Sequence, residues 1–346
     1  MKVALPYASD FQDISPGGIQ AFIVRTLSHL PSDFELTLIG IGDRPSNIGK
    51  DVNWISLFDV GQANRKNLHF YFGKNLKMHF KENCDYDLVI HHRPETMILT
   101  NSRGINLLVL HSPTWGPLRT RGVVKGLLLV LFEFLAALKA TKVLTVNLDS
   151  TSLVTKFLSK AIIETPIPIS GAFFTDVVPP ESETLIYVGR LEKGKGVDKL
   201  LVLAKKNDRK IVVVGDGSEG NKLKEMAEFI KVEAEFTGYL SSKEILHLYK
   251  LGGVVMSASS SEGLPISLLE AMASKLPLII LSKGKWVDKL VQLGACVQSQ
   301  KTFSFEDMSF LHKSKSEIIK NIYHETPASI SFWNSCKVAG MKGKKY

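Results

Sequence analysis

Two carboxylates, Glu262 and Glu270, stand eight residues apart where the apolar run 254–256 gives way to a serine- and glycine-bearing turn and then a helix-forming stretch. A strand feeding a helix N-terminus makes an anion site. The first backbone N–H groups lack intrahelical partners, and the helix dipole favours negative charge there. Glu262 falls before that site and Glu270 two turns beyond it. Eight residues turn a helix by about 800°, so the two carboxylates share no face and are not an acid–base pair on one bond. They suit a ligand with a charged middle and hydroxyls at both ends, a nucleotide-sugar. An ordinary βα turn flanked by solvated glutamates satisfies the same spacing.

A second cluster, Gly189-Arg190-Leu191-Glu192-Lys193-Gly194-Lys195-Gly196, follows the apolar run 185–188. Arg190 and Lys195 flank a glycine-rich turn from which both can converge on one anion, one as a planar fork and the other as a point charge. Incidental surface cations on a βα loop are the plain alternative. Both clusters belong at carboxyl ends of parallel strands, where such sheets bind ligands.

The elements that must position these residues read as two α/β halves. Strands fall at 3–5, 35–39, 88–91, 107–110 and 143–146, then at 185–188, 211–214, 234–236, 254–256 and 278–281. Helical periodicity starts at Ile19 in the first half and covers 197–206, 219–229, 243–249, 266–274 and 287–293 in the second. Ser241 and Glu244 make a capping-box signature. Short apolar strands alternating with helices imply parallel sheets covered on both faces. Proline-bearing stretches at 165–171 and 178–180 mark a linker. The expected architecture is two Rossmann-like domains, 1–170 and 171–346, with parallel sheets facing across a cleft. Past 300 only a helix at 314–323 and the pair Phe332-Trp333 can be placed, and the last helix is a candidate to pack back on the N-terminal domain.

YVGRL…KG at 187–196, VVGDG at 213–217, FTGYL at 236–240 and S…EG…LLEAMA…P at 259–277 follow one another in order. This series resembles the retaining family-4 glycosyltransferases of the GT-B fold, almost continuously over the C-terminal half and only in outline before it. The resemblance implies that Arg190 and Lys195 hold the donor diphosphate and stabilise the leaving nucleoside diphosphate. Glu262 would contact sugar hydroxyls near the reacting carbon, and Glu270 the ribose hydroxyls. The backbone of Gly263, Leu264, Pro265 and Ile266 would meet phosphate or sugar, and Gly189 would also belong to the donor site. Gly215, Gly217, Gly238 and Tyr239 would form the floor and edge of the base pocket.

In the first half, Gly17 and Gly18 resemble the family's glycine loop over the diphosphate, where a missing Cβ permits close approach. His111 matches its histidine contacting the donor sugar; a structural strand-end histidine is the alternative. His91 and His92 have no metal-ligand spacing to other residues and read as cleft-lining. Lys275 departs from the family, which usually has glycine there, and 282–287 matches its donor loop poorly. The implied reaction moves a hexose, with a UDP-sugar favoured as donor, onto a glycan or lipid-linked acceptor with retention and without cofactor or metal. A nucleotide-sugar epimerase of the same fold and a degenerate binding protein are the alternatives.

Two other motifs compete. Gly215 to Gly220 fits GxGxxG, with Glu235 placed for a ribose contact, which would be an NAD site; but the fingerprint belongs at a domain's first βαβ, and this one follows the second strand. Asp85-Tyr86-Asp87 is a DxD that leads directly into a strand, and reads as strand-entry polarity.

Composition narrows the partners. The chain has 346 residues, 45% apolar and 22% charged, with a net charge of +9. That is a soluble globular balance with room for two cores. Without a zinc finger, RNA-recognition signature or basic–aromatic interleaving, the excess charge points away from nucleic acid and toward phosphorylated ligands or an anionic membrane surface. Cys84, Cys296 and Cys336, odd in number and without a CxxC pair, indicate a reducing compartment, so a cytoplasmic location is expected. The N-terminal apolar run is too short for a signal peptide. Arg119, Arg121, Lys125, Lys139 and Lys142 surround 123–138, a stretch apolar nearly all round. A buried helix is its simpler reading; a basic, apolar edge resting peripherally on an anionic cytoplasmic leaflet is the other.

Overall fold

The computed structural model describes residues 1–9, 18–62, 68–83, 85–111, 123–146, 162–175, 182–259, 264–283, 285–292, 296–297 and 316–341. Residues 1–168 with 325–346 form one compact unit and 169–324 a second.

The first unit holds a seven-stranded parallel sheet in the order β3-β2-β1-β4-β5-β6-β7. Its strands are β1 (Lys2–Pro6), β2 (Glu35–Gly40), β3 (Asn53–Ser56), β4 (Leu88–His91), β5 (Ile105–Leu110), β6 (Lys142–Thr145) and β7 (Ile162–Glu164). The five expected strands are present. The two missed, β3 and β7, are the sheet's edges, and β3 has no buried residue, so neither shows the apolar run of a central strand. Around this sheet lie α1 (Gly18–Leu27), α2 (Leu68–Glu82), α3 (Pro94–Leu99), α4 (Val123–Lys139) and, from the far end of the chain, α11 (Glu325–Met341).

Helix α11 packs on α1. Trp333 Nε1 donates to the Thr26 carbonyl at 2.8 Å, Ser329 Oγ donates to the Arg25 carbonyl at 3.3 Å, and Phe332 meets Phe22 edge-on at 5.2 Å between centroids. Phe332, Trp333 and Cys336 are buried.

Helix α4 corrects the simpler sequence reading. It turns Gly126, Ala136 and Ala137 inward and leaves Val124, Leu127, Leu128, Leu131, Phe132, Leu135 and Leu138 outside, each between 43% and 74% exposed. Small residues on the inner face suit a close approach to α3, which is pinned by Lys139. Its ammonium donates to the carbonyls of Ile98 at 2.9 Å and Thr100 at 2.5 Å, the unsatisfied end of α3. Among the described residues no helix is long and apolar enough to cross a membrane.

The second unit repeats the plan with six parallel strands ordered β10-β9-β8-β11-β12-β13. These are β8 (Leu185–Val188), β9 (Ile211–Val214), β10 (Ala234–Gly238), β11 (Val254–Ser257), β12 (Leu278–Ile280) and β13 (Cys296–Val297). Its helices are α5 (Val197–Lys206), α6 (Gly220–Phe229), α7 (Ser242–Lys250), α8 (Ile266–Ala273), α9 (Lys285–Gln292) and α10 (Ser316–Tyr323). The capping box is formed, with Ser241 N–H donating to Glu244 Oε2 at 2.7 Å and Glu244 N–H to Ser241 Oγ at 3.4 Å. The chain enters and leaves this unit side by side, since Ile169 N–H donates to the Tyr323 carbonyl at 2.7 Å.

In both sheets strand order reverses beside the first strand, between β1 and β4 and between β8 and β11. Such switch points open a crevice at the strands' carboxyl ends, where ligands bind in doubly wound sheets.

Candidate active site

In the second unit the loops after β8, β9 and β10 are laced together at those carboxyl ends. Gly189 N–H donates to the Val214 carbonyl at 3.0 Å, Leu191 N–H to Asp216 at 2.9 Å, and Gly215 N–H to Gly238 at 2.7 Å. The approach is close enough that a Cβ on Gly215, at φ +128°, would overlap the Gly189 carbonyl oxygen. Gly196, at φ +71°, lies so near the end of β11 that a Cβ there would stand 2.5 Å from the Ala258 carbonyl oxygen. Glycine is required at both positions by conformation and by space. The cation-bearing loop is thereby seated at the β8/β11 switch point.

Arg190 projects outward and Glu192 Oε1 accepts from its Nη1 at 2.7 Å. Its backbone is held by buried Tyr187, whose hydroxyl donates to the Arg190 carbonyl at 3.0 Å and whose phenol pKa is raised by burial. Lys195 is half-buried, and desolvation, followed by the charge of Arg190, brings its pKa down to about 8. Two cations with one carboxylate between them leave an excess of positive charge, which a bound anion would relieve.

Helix α8 begins after Pro265, which occupies the N-cap position without a side-chain cap. The proline side chain brings no oxygen to cap the first helical N–H groups, and its backbone has no N–H, so Ile266 and Ser267 head a helix end suited to an anion. Leu264, Pro265 and Ile266 are half-buried at the start of α8, and Glu270 is buried on the same helix. The Glu270 carboxylate is close enough to add to the upward shift that burial imposes on the Tyr249 phenol. Gly217, Gly215 and Gly238 line a cavity of 320 Å³ with Leu191, Lys224 and Phe236. Tyr239 follows it, partly exposed. Glu262, Gly263 and Gly17 lie outside the described residues.

The first unit carries His111 and Gly18. Gly18 opens α1, and Phe22 one turn on meets the His111 ring edge-on at 5.1 Å. His111 also forms a 2.8 Å contact, Nε2 to His92 Nδ1. The sequence reading took His92 as cleft-lining and did not pair it with His111. The signal for that pairing is the placement of the two histidines one residue past neighbouring parallel strands, β4 and β5, both of which the sequence predicts.

The competing motifs separate from this site. Glu235 accepts a 2.8 Å ion pair from Lys210, whose residue precedes β9, so both mark the amino end of the sheet while Gly215 lies past its carboxyl end. In the DxD, Asp87 Oδ2 accepts from the Lys2 N–H at 2.8 Å, at the amino end of β4. Lys275 stands at φ +60°, so the turn keeps the left-handed conformation that favours glycine. Among the described residues no cluster of three His, Cys, Asp or Glu side chains is arranged for a metal ion.

The family described as glycosyl transferases group 1 matches residues 172–296. An uncharacterized glycosyltransferase of Haemophilus influenzae is 25% identical over 287 residues, 80% of each chain. The alpha-monoglucosyldiacylglycerol synthase of Streptococcus pneumoniae is 35% identical over 104 residues, 28% of this chain and 24% of that one. Among solved structures, Anabaena Alr3699/HepE in complex with UDP and glucose superposes with a TM-score of 0.75 at 12% identity, over 97% of this chain and 99% of that one. Residues 172–296 are thus similar to the glycosyl transferases group 1 family, and the chain has the fold of the GT-B glycosyltransferases.

Proposed function

We propose that this protein transfers a hexose from a nucleoside diphosphate-sugar, UDP-sugar in the first instance, to an acceptor hydroxyl with retention of configuration. The observation that carries the reading is the seating of Arg190 and Lys195 at the β8/β11 switch point by glycines that tolerate no Cβ. As the sugar leaves, negative charge grows on the diphosphate. Preorganised cations and a helix N-terminus aimed at that charge stabilise the transition state more than the ground state. Two cations already offset the diphosphate, so the reading calls for no metal and no cofactor. Glu270 is assigned the ribose hydroxyls, Glu262 and His111 the sugar, and the cavity under Gly215 and Gly238 the base. UDP is favoured by the likeness to a protein solved with UDP and glucose.

The acceptor is assigned to glycan or glycolipid assembly at the cytoplasmic membrane face. The outward apolar side chains of α4 support this, as do Phe70 and Met78, exposed on α2, which packs beside α3. Exposed apolar surface of that extent, on a chain of net charge +9, suits an anionic lipid surface.

Thermal shift with UDP, GDP and ADP, then with their sugar conjugates, tests the donor assignment. UDP and one UDP-sugar should raise the melting temperature, and slow hydrolysis of that donor should release UDP. Absence of stabilisation by any nucleoside diphosphate at millimolar concentration would sink the reading.

A further inference from the structure

His92 and His111 face one another with ring centroids 5.0 Å apart and Nδ1 to Nε2 at 2.8 Å. Burial lowers both pKa values, that of His111 to about 3 with Arg93 adding to the effect, and that of His92 further depressed by His111 and His91. Two neutral imidazoles sharing one hydrogen bond have only two arrangements. In the first, His92 Nδ1–H donates to His111 Nε2. His92 Nε2 is then a bare lone pair, and His111 carries its proton on Nδ1. In the second, His111 Nε2–H donates to His92 Nδ1, and His92 must keep its proton on Nε2.

The surroundings of His92 Nε2 decide between them. That atom is buried and meets no hydrogen-bond partner among the described residues. The rings of Phe22 and Phe332 stand 5.7 and 6.3 Å from its own. An orphaned buried N–H is rarer in folded proteins than an under-satisfied acceptor, and a donor left unmade forfeits its full desolvation cost. The first arrangement leaves only a lone pair there. His91 makes the contrast: Thr96 Oγ1 at 3.2 Å and Asn106 Oδ1 at 3.3 Å engage both of its nitrogens, as a structural histidine requires.

We infer that His92 is a positioning residue that holds His111 in the Nδ1–H tautomer, so that His111 meets the donor sugar as a hydrogen-bond donor to one of its oxygens. In that state Nδ1 has no lone pair to offer, and His111 cannot serve as a base toward the acceptor hydroxyl. The sugar contact rests on the function proposed above; the tautomer does not.

Histidine-selective isotope labelling and heteronuclear NMR on the full-length protein read the tautomer directly, with His111→Gln identifying that ring's signals. A proton on His111 Nδ1 is expected; a proton on Nε2 overturns the inference. Kinetics give a second readout. His92→Asn keeps an N–H where Nδ1–H stood and should retain kcat within about threefold. His92→Asp offers only acceptor oxygens and should lower kcat on the order of a hundredfold, with UDP affinity unchanged. Equal kcat for the two variants would overturn the positioning role. If His111 carries its proton on Nδ1 and His111→Ala nevertheless turns over normally, the sugar contact is overturned while the tautomer stands.

Discussion

Lys195 owes its pKa of about 8 first to burial and then to Arg190. Between that value and the ordinary lysine range the folded chain binds fewer protons than the unfolded one, so this group adds stability as pH rises through that window. Ligand binding runs the other way, because the diphosphate needs the ammonium form. UDP affinity should be flat between about pH 7 and 7.5 and fall above 8, approaching tenfold per unit. Isothermal titration across pH 7 to 9.5 checks this, and Lys195→Met should flatten the profile. Both Lys195→Met and Arg190→Ala should cost about 3 kcal/mol of transition-state stabilisation, roughly a hundredfold in turnover. A pH-independent wild-type affinity would remove Lys195 from the phosphate site.

At the scale of elements, the sequence was most legible where one strand and one helix alternate without insertion. All five strands expected in the second unit are present, as is the capping box at Ser241, because each is written within a few adjacent residues. The glycines of the donor loops were equally readable, since their need for positive φ or close approach leaves little choice of residue. What escaped depends on neighbours. Edge strand β3 lacks an apolar run, the His92–His111 contact joins residues 19 apart, and α4 inverts the usual pattern by burying glycine and alanine under its leucines. Periodicity cannot tell which face of an apolar helix is covered. That outward face carries a prediction. The protein should co-sediment with vesicles containing anionic lipid at low salt and release as salt screens the lysines. Leu128→Ser with Leu135→Ser, both exposed, should weaken binding at least about tenfold while leaving the melting temperature unchanged. Absence of binding at low salt would favour a soluble acceptor.

Over the whole molecule, the two compact units differ in how the chain supplies them. The second is continuous, whereas the first needs α11 from the far end to cover α1. Trp333 is fully buried in that seam and its indole N–H serves the Thr26 carbonyl. Trp333→Ala should therefore cost the first unit about 3 to 5 kcal/mol. The second unit should keep its stability and its response to UDP. Denaturant unfolding followed with and without UDP checks this: one transition should move with the substitution and the other with the ligand. A single transition moved by both would mean the units unfold as one.

The same covering of α1 by α11 sets an order on the ribosome. Phe22, Ile23 and Leu27 emerge before the second unit, but Phe332 and Trp333 follow only after the whole of it has been made. At about 5–20 residues per second, that apolar face waits on the order of tens of seconds for its cover. The nascent first unit is thus a natural client for a chaperone that binds exposed aromatic helices, and the second unit can complete its fold before the first.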